Sequence, residues 1–147
     1  MKDDLLENIA IPDGEIYTTR TIVISCFFAG LLASGLMIYQ NFKTLGEHKK
    51  ASATVLVTVL AFIAIMATAF IPALDNIPGL VYSFMITVAT SLLTRKFQGS
   101  LIDKHINADG RTYSSGRAIL ICIISVVILF AFYFSAYFLQ EMAVSQP

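Results

Sequence analysis

Four runs along the chain contain no Asp, Glu, Lys or Arg: 21–42, 51–74, 76–94 and 118–140. A bilayer core takes about 20 residues of helix at about 1.5 Å each, and each run comes within a few residues of that length. The pattern predicts an all-α fold, a membrane-embedded four-helix bundle. Its four transmembrane helices run over about 21–40, 51–71, 78–94 and 118–140, in one domain over 21–140. An acidic N-terminal tail over 1–20 and a short C-terminal tail over 141–147 flank it. Every charged residue falls outside the four runs.

The first run carries rows of small residues. Ser25, Ala29 and Ala33 are spaced four apart, with Cys26, Gly30 and Ser34 in the adjacent row. Small residues let helix backbones approach closely, and in lipid that packing drives association. The first span is therefore expected at the centre of the bundle. The second span ends before Pro72, and the short connector to Pro78 predicts a tight antiparallel pairing with the third. The third span is the most polar: Ser83, Thr87, Thr90, Ser91 and Thr94 fall in an arc of about 100°. Those hydroxyls suit either a hydrophilic path for a small solute or ordinary bonding to neighbouring helices and to i−4 carbonyls. Phe130, Phe132, Tyr133, Phe134, Tyr137 and Phe138 crowd the end of the fourth span, where aromatics anchor helices at an interface.

Between the third and fourth runs, Arg95 to Arg117 is the longest charged interval between apolar runs. Leu101, Ile102, His105 and Ile106 share one helical face there, opposite Asp103, Lys104 and Asn107. This predicts a short interfacial amphipathic helix over about 99–109, stopped by Gly110. Arg95, Lys96, Lys104, Arg111 and Arg117 are half of the ten Lys and Arg in the chain. Near an anionic leaflet each is worth about 1 kcal/mol, so lipid-headgroup contact is their expected role. In the tail, Leu5, Leu6 and Ile9 share a helical face, and Pro12-Asp13-Gly14 reads as a turn. Tyr17-Thr18-Thr19-Arg20 echoes Tyr113-Ser114-Ser115-Gly116-Arg117, each an interfacial Tyr, capping hydroxyls and an Arg before a span.

Composition agrees with a membrane protein: 56% hydrophobic, 14% charged and mean hydropathy +0.74. Soluble domains carry about 25% charged residues. No basic patch lies outside the membrane-adjacent stretches, so nucleic acid is not an expected partner. Cys26 and Cys122 sit in apolar runs. His105 and Asp109 are four apart, with His48 elsewhere, but no metal-ligand spacing or Gly-rich phosphate loop is present. Neither catalytic residues, a metal nor a cofactor is expected.

For topology, four spans put Lys2 and Arg20 on one side. Lys43, Lys49, Lys50 and the five residues of Arg95–Arg117 fall on the other. Basic loops stay cytoplasmic, which predicts both termini outside.

The order Tyr17…Arg20, a small-residue first span and Asn41-Phe42-Lys43-Thr44-Leu45-Gly46 resembles a group of small bacterial integral membrane proteins without assigned function. Lys96-Phe97-Gln98-Gly99, His105-Ile106 and Tyr113-Ser114…Arg117-Ala118 are similar to the same group. The group's first span has a Gly-Gly-Pro-Leu-Ala-Gly-Gly-like centre. This chain reads Ala29-Gly30-Leu31-Leu32-Ala33-Ser34-Gly35 there, without the proline. The resemblance implies a bacterial inner membrane.

The expected function is that of a non-catalytic accessory or scaffold protein contacting anionic headgroups, a membrane partner or a second copy of itself. A small homo-oligomeric uncoupled transporter using the Ser83–Thr94 face is the alternative, since coupled transport places an ionisable group within the membrane. A lipid-modifying enzyme built on His105 and Asp109 is a third.

Overall fold

A computed structural model describes residues 14–68, 71 and 76–144. The helix expected around Leu5–Ile9, the Pro12-Asp13 turn and the connector residues 72–75 lie outside them. The described residues are helical, in the order α1 (Thr19–Thr44), α2 (His48–Thr68), α3 (Gly79–Thr94), a π-helical segment (Arg95–Gly99), α4 (Ser100–Asn107) and α5 (Ser115–Val144). Three helical stretches are long and apolar enough to cross a membrane: α1, α2 and Ser115–Ser135 of α5. α3 has 16 residues, short of that length by itself. Large apolar side chains cover the outer faces; Leu56, Leu80, Met85 and Val127 are each more than 60% exposed. Apolar surface on this scale suits lipid rather than water.

α1 departs from the expected single span over 21–40. A straight helix of its 26 residues would be about 39 Å long. Yet Tyr17, just before its start, donates its N–H to Asn41 Oδ1 near its end at 2.7 Å. Both can hold only because the chain reverses, and the reversal is at Gly30, whose φ of 74° and ψ of −167° break the helix. That conformation is open essentially to glycine alone. α1 is thus a helical hairpin with limbs 19–29 and 31–44, about 16 and 21 Å long at the helical rise. Each limb covers little more than half of a hydrocarbon core about 30 Å thick. The kink arises without the proline.

The small residues explain the close approach. Ser25, Cys26, Ala29, Ala33, Ser34 and Gly35 are all buried, and they lie on two limbs rather than along one straight face. Ile22, Ala29, Ala33 and Met37 form one core with Ala118 and Ile121 of α5. Gly35 abuts the Thr58 side chain on α2, and the tip at Gly30 lies beside Leu129 of α5. α1 sits at the centre, packed against α2, α3 and α5. The close α2–α3 pairing expected from their short connector gives way to this arrangement, with both helices packing mainly on α1.

α4 also differs from the expectation of a separate interfacial element. Thr94, Arg95, Gly99 and Ser100 all keep right-handed helical angles, so the backbone winds on from α3 through the π segment into α4. Its left-handed stop is Asp109, at φ 56°. Gly110 serves a different need: its amide donates to the His105 carbonyl at 2.9 Å, and a side chain there would collide with the His105 ring.

Candidate functional site

The two ends of α1, the π segment and the loop before α5 gather at one end of the molecule around a buried amide. Asn41 is fully buried. Its Oδ1 accepts from the Tyr17 N–H, and its Nδ2 donates to the Tyr17 carbonyl at 2.8 Å and to Gln98 Oε1 at 3.3 Å. Gln98, also fully buried, donates to the Ile38 carbonyl at 2.9 Å. A wider π turn re-aims side chains and recurs at functional sites; here it holds Gln98 against α1. The C-terminus of α1 closes with Gly46 at φ 76°, Gly46 N–H donating to Lys43 O and Glu47 N–H to Phe42 O. That is a Schellman stop.

The segments that echo one another in sequence pair in space. Ile16 and Thr112 form a parallel bridge, Ile16 N–H donates to Arg111 O, and Tyr113 N–H donates to Ile16 O. The Tyr17 and Tyr113 rings lie 4.4 Å apart, and the Arg117 guanidinium sits 4.1 Å over Tyr113. Burial pushes the Tyr17 phenol above its usual range, with nearby Arg117 acting in the opposite sense. A raised pKa means the folded state holds the proton more tightly. This stability is therefore full below about pH 10 and is lost as pH rises beyond it. Unfolding midpoints in detergent should fall between about pH 9 and 11, with a smaller fall for Tyr17→Phe; an equal fall in that variant would assign the effect elsewhere.

The residues expected to meet headgroups separate into two kinds. Arg95, Lys96, Arg111 and Arg117 are exposed. The Lys104 ammonium is instead shielded from solvent, with no hydrogen-bond partner among the described residues. The hydroxyl face of α3 divides too. Thr90 Oγ1 accepts from Cys26 Sγ at 3.3 Å, and Thr87 donates to its own helix at Ser83 O. Thr94 is buried, with no partner for its hydroxyl among the described residues, and Ser91 lines a groove on another side of α3. His105 Nε2 lies 3.1 Å from Arg111 O, so its polar contact is with main chain rather than with Asp109. Among the described residues no group of three His, Cys, Asp or Glu could hold a metal.

Two grooves flank the hub. One, of about 400 Å³, runs between the second limb of α1, α2 and α3; its walls include Ser34, Gly35, Val57, Leu93, Thr94 and Phe97, with Lys50 among its lining residues. The other, of about 850 Å³, runs between the first limb and the α3–π–α4 rod, with Arg20, Arg95 and Asp103 on its walls. Arg20 was the residue least visible in the sequence, because its proximity to Arg95 depends on the reversal at Gly30. No family model, curated protein or solved structure matches the chain.

Proposed function

We propose that the chain is a non-catalytic accessory or scaffold protein of a bacterial inner membrane that grips anionic lipid headgroups with one basic end. One observation carries this reading. Arg20, Lys43, Lys49, Lys50, Arg95, Lys96, Arg111 and Arg117 are all exposed and lie at the end where the two termini of α1 come together, away from the Gly30 tip. Basic residues within a turn or two of membrane-crossing helices set orientation, and opposite an anionic leaflet they add about 1 kcal/mol each. The hairpin also revises the topological count. With Tyr17 and Asn41 in contact, the N-terminal segment and the 45–47 loop share a side, which favours N-in/C-out over the N-out/C-out arrangement expected from four through-going spans. The transporter reading is supported less, since Thr90 and Thr94 line one groove, Ser91 lines another and Thr87 bonds to its own helix.

Two measurements test the proposal. With Cys26 and Cys122 replaced by Ala, single cysteines at Glu15 and Glu47 should react with a membrane-impermeant thiol reagent only after cell lysis, and one at Asn76 before it. Labelling of Glu15→Cys in intact cells would overturn the N-in arrangement. The purified chain in nanodiscs should enrich phosphatidylglycerol over phosphatidylcholine, and the enrichment should shrink as salt is raised; equal retention of both lipids would overturn the headgroup role.

A further inference from the structure

We infer that the groove between the first limb of α1 and the α3–π–α4 rod is a discrete binding site for one anionic glycerophospholipid, its phosphate held between Arg20 and Arg95. This deepens the headgroup reading above and rests on it. The two arginines come from separate elements and both line one groove of about 850 Å³. Both arginines are exposed, and the ion pair found among the described residues is Lys50–Glu47, away from this groove. Guanidinium presents a planar fork of donors matched to phosphate oxygens. Thr19 and Ser100 add hydroxyls to the wall, and Val23 and Ile24 continue it one turn deeper into the apolar part of the first limb. Charge at one level and an apolar floor below it is the layout of a phospholipid rather than of a free anion. Gly99 is one of the lining residues and leaves space beside it: a Cβ built there meets only Arg95 Cβ, at 4.0 Å. Asp103 on the same wall sets an opposing charge, which would discriminate against headgroups carrying a second negative charge near it.

The test uses the full chain in mild detergent, with phosphatidylglycerol and phosphatidylcholine of identical acyl chains as probes, retention being read by native mass spectrometry. The double variant Arg20→Gln/Arg95→Gln should lose phosphatidylglycerol by about tenfold or more. Lys49→Gln/Lys50→Gln removes the same charge from the α1–α2 corner, outside this groove, and should lower retention several times less than the arginine pair does. Gly99→Leu changes no charge, keeps a helical backbone position and fills the groove, so it should lower retention severalfold. Asp103→Asn should raise it, an effect that misfolding cannot mimic. Equal losses for the two double variants would overturn the discrete site while leaving the basic-end reading standing. No phosphatidylglycerol preference in the wild-type chain would overturn both. Displacement of the lipid by millimolar inorganic phosphate, with the arginine-dependent signal carried over to phosphate, would overturn the lipid as the ligand.

Discussion

Replacing Asn41 by Ala is expected to lower stability by about 3–6 kcal/mol, the largest effect of any single polar substitution at this end of the fold. The amide makes three buried hydrogen bonds, two to the main chain of Tyr17 and one to Gln98. Truncation leaves a buried N–H, a buried C=O and the Gln98 oxygen without partners, each costing about 1–3 kcal/mol. Some of that is recovered if water enters, which is why the sum is held below its ceiling. Asn41→Asp separates the contributions, since its oxygen can still accept from Tyr17 N–H but an ionised carboxylate donates nothing. Gln98→Ala should cost less than Asn41→Ala, and the double variant should cost less than the two together, because the side chains share a bond. Thermal or denaturant unfolding in detergent reads all four. A midpoint for Asn41→Ala close to that of the wild type would show that Tyr17 is held beside α1 by something else, the Ile16–Thr112 bridge and the tyrosine stack being the candidates.

The same amide marks where sequence and structure part. α2 and α5 were legible because an uncharged run of span length leaves a helix few alternatives, and both appear within a few residues of their expected bounds. The run over 21–42 obeyed the same composition rule and yet folds back. Hydropathy counts apolar residues and is blind to the direction the chain takes through them. What could have signalled the hairpin was Gly30 between two groups of small residues, together with Asn41, an amide with nothing nearby in sequence to satisfy it. Gln98 sits in a basic stretch where nothing in the sequence marks it for burial; only the π turn and the returning limb bury it. In a straight α1, Arg20 would lie at the opposite end of the helix from Lys43 and Lys49. Once the limbs are folded together, its neighbour across the groove is Arg95.

Gly30 is the residue on which that topology turns, and Gly30→Val is expected to cost about 1–3 kcal/mol from backbone strain alone. Its φ of 74° with ψ near 180° lies where a β-branched residue has no comfortable conformation. Space is not the obstacle, since a Cβ there comes no closer than 3.6 Å to Leu129. Gly46→Val, at a similar φ but on an exposed turn with open space around it, controls for strain unconnected with the hairpin. Both variants should melt earlier, but only one should alter the path of the chain. Straightened, α1 is long and apolar enough to cross a membrane by itself, so the hairpin competes with a through-going helix. The hairpin is favoured by the Asn41–Tyr17 bonds and by keeping Arg20 with the other basic residues. Straining the reversal and removing the Asn41–Tyr17 bonds together in Gly30→Val/Asn41→Ala is therefore expected to carry Glu15→Cys to the opposite side in a measurable fraction of molecules, seen as thiol labelling in intact cells. Gly46→Val/Asn41→Ala should leave it unlabelled. Labelling in neither pair would mean that packing of Ile22, Ala29, Ala33 and Met37 against α5 is by itself sufficient to hold the reversal.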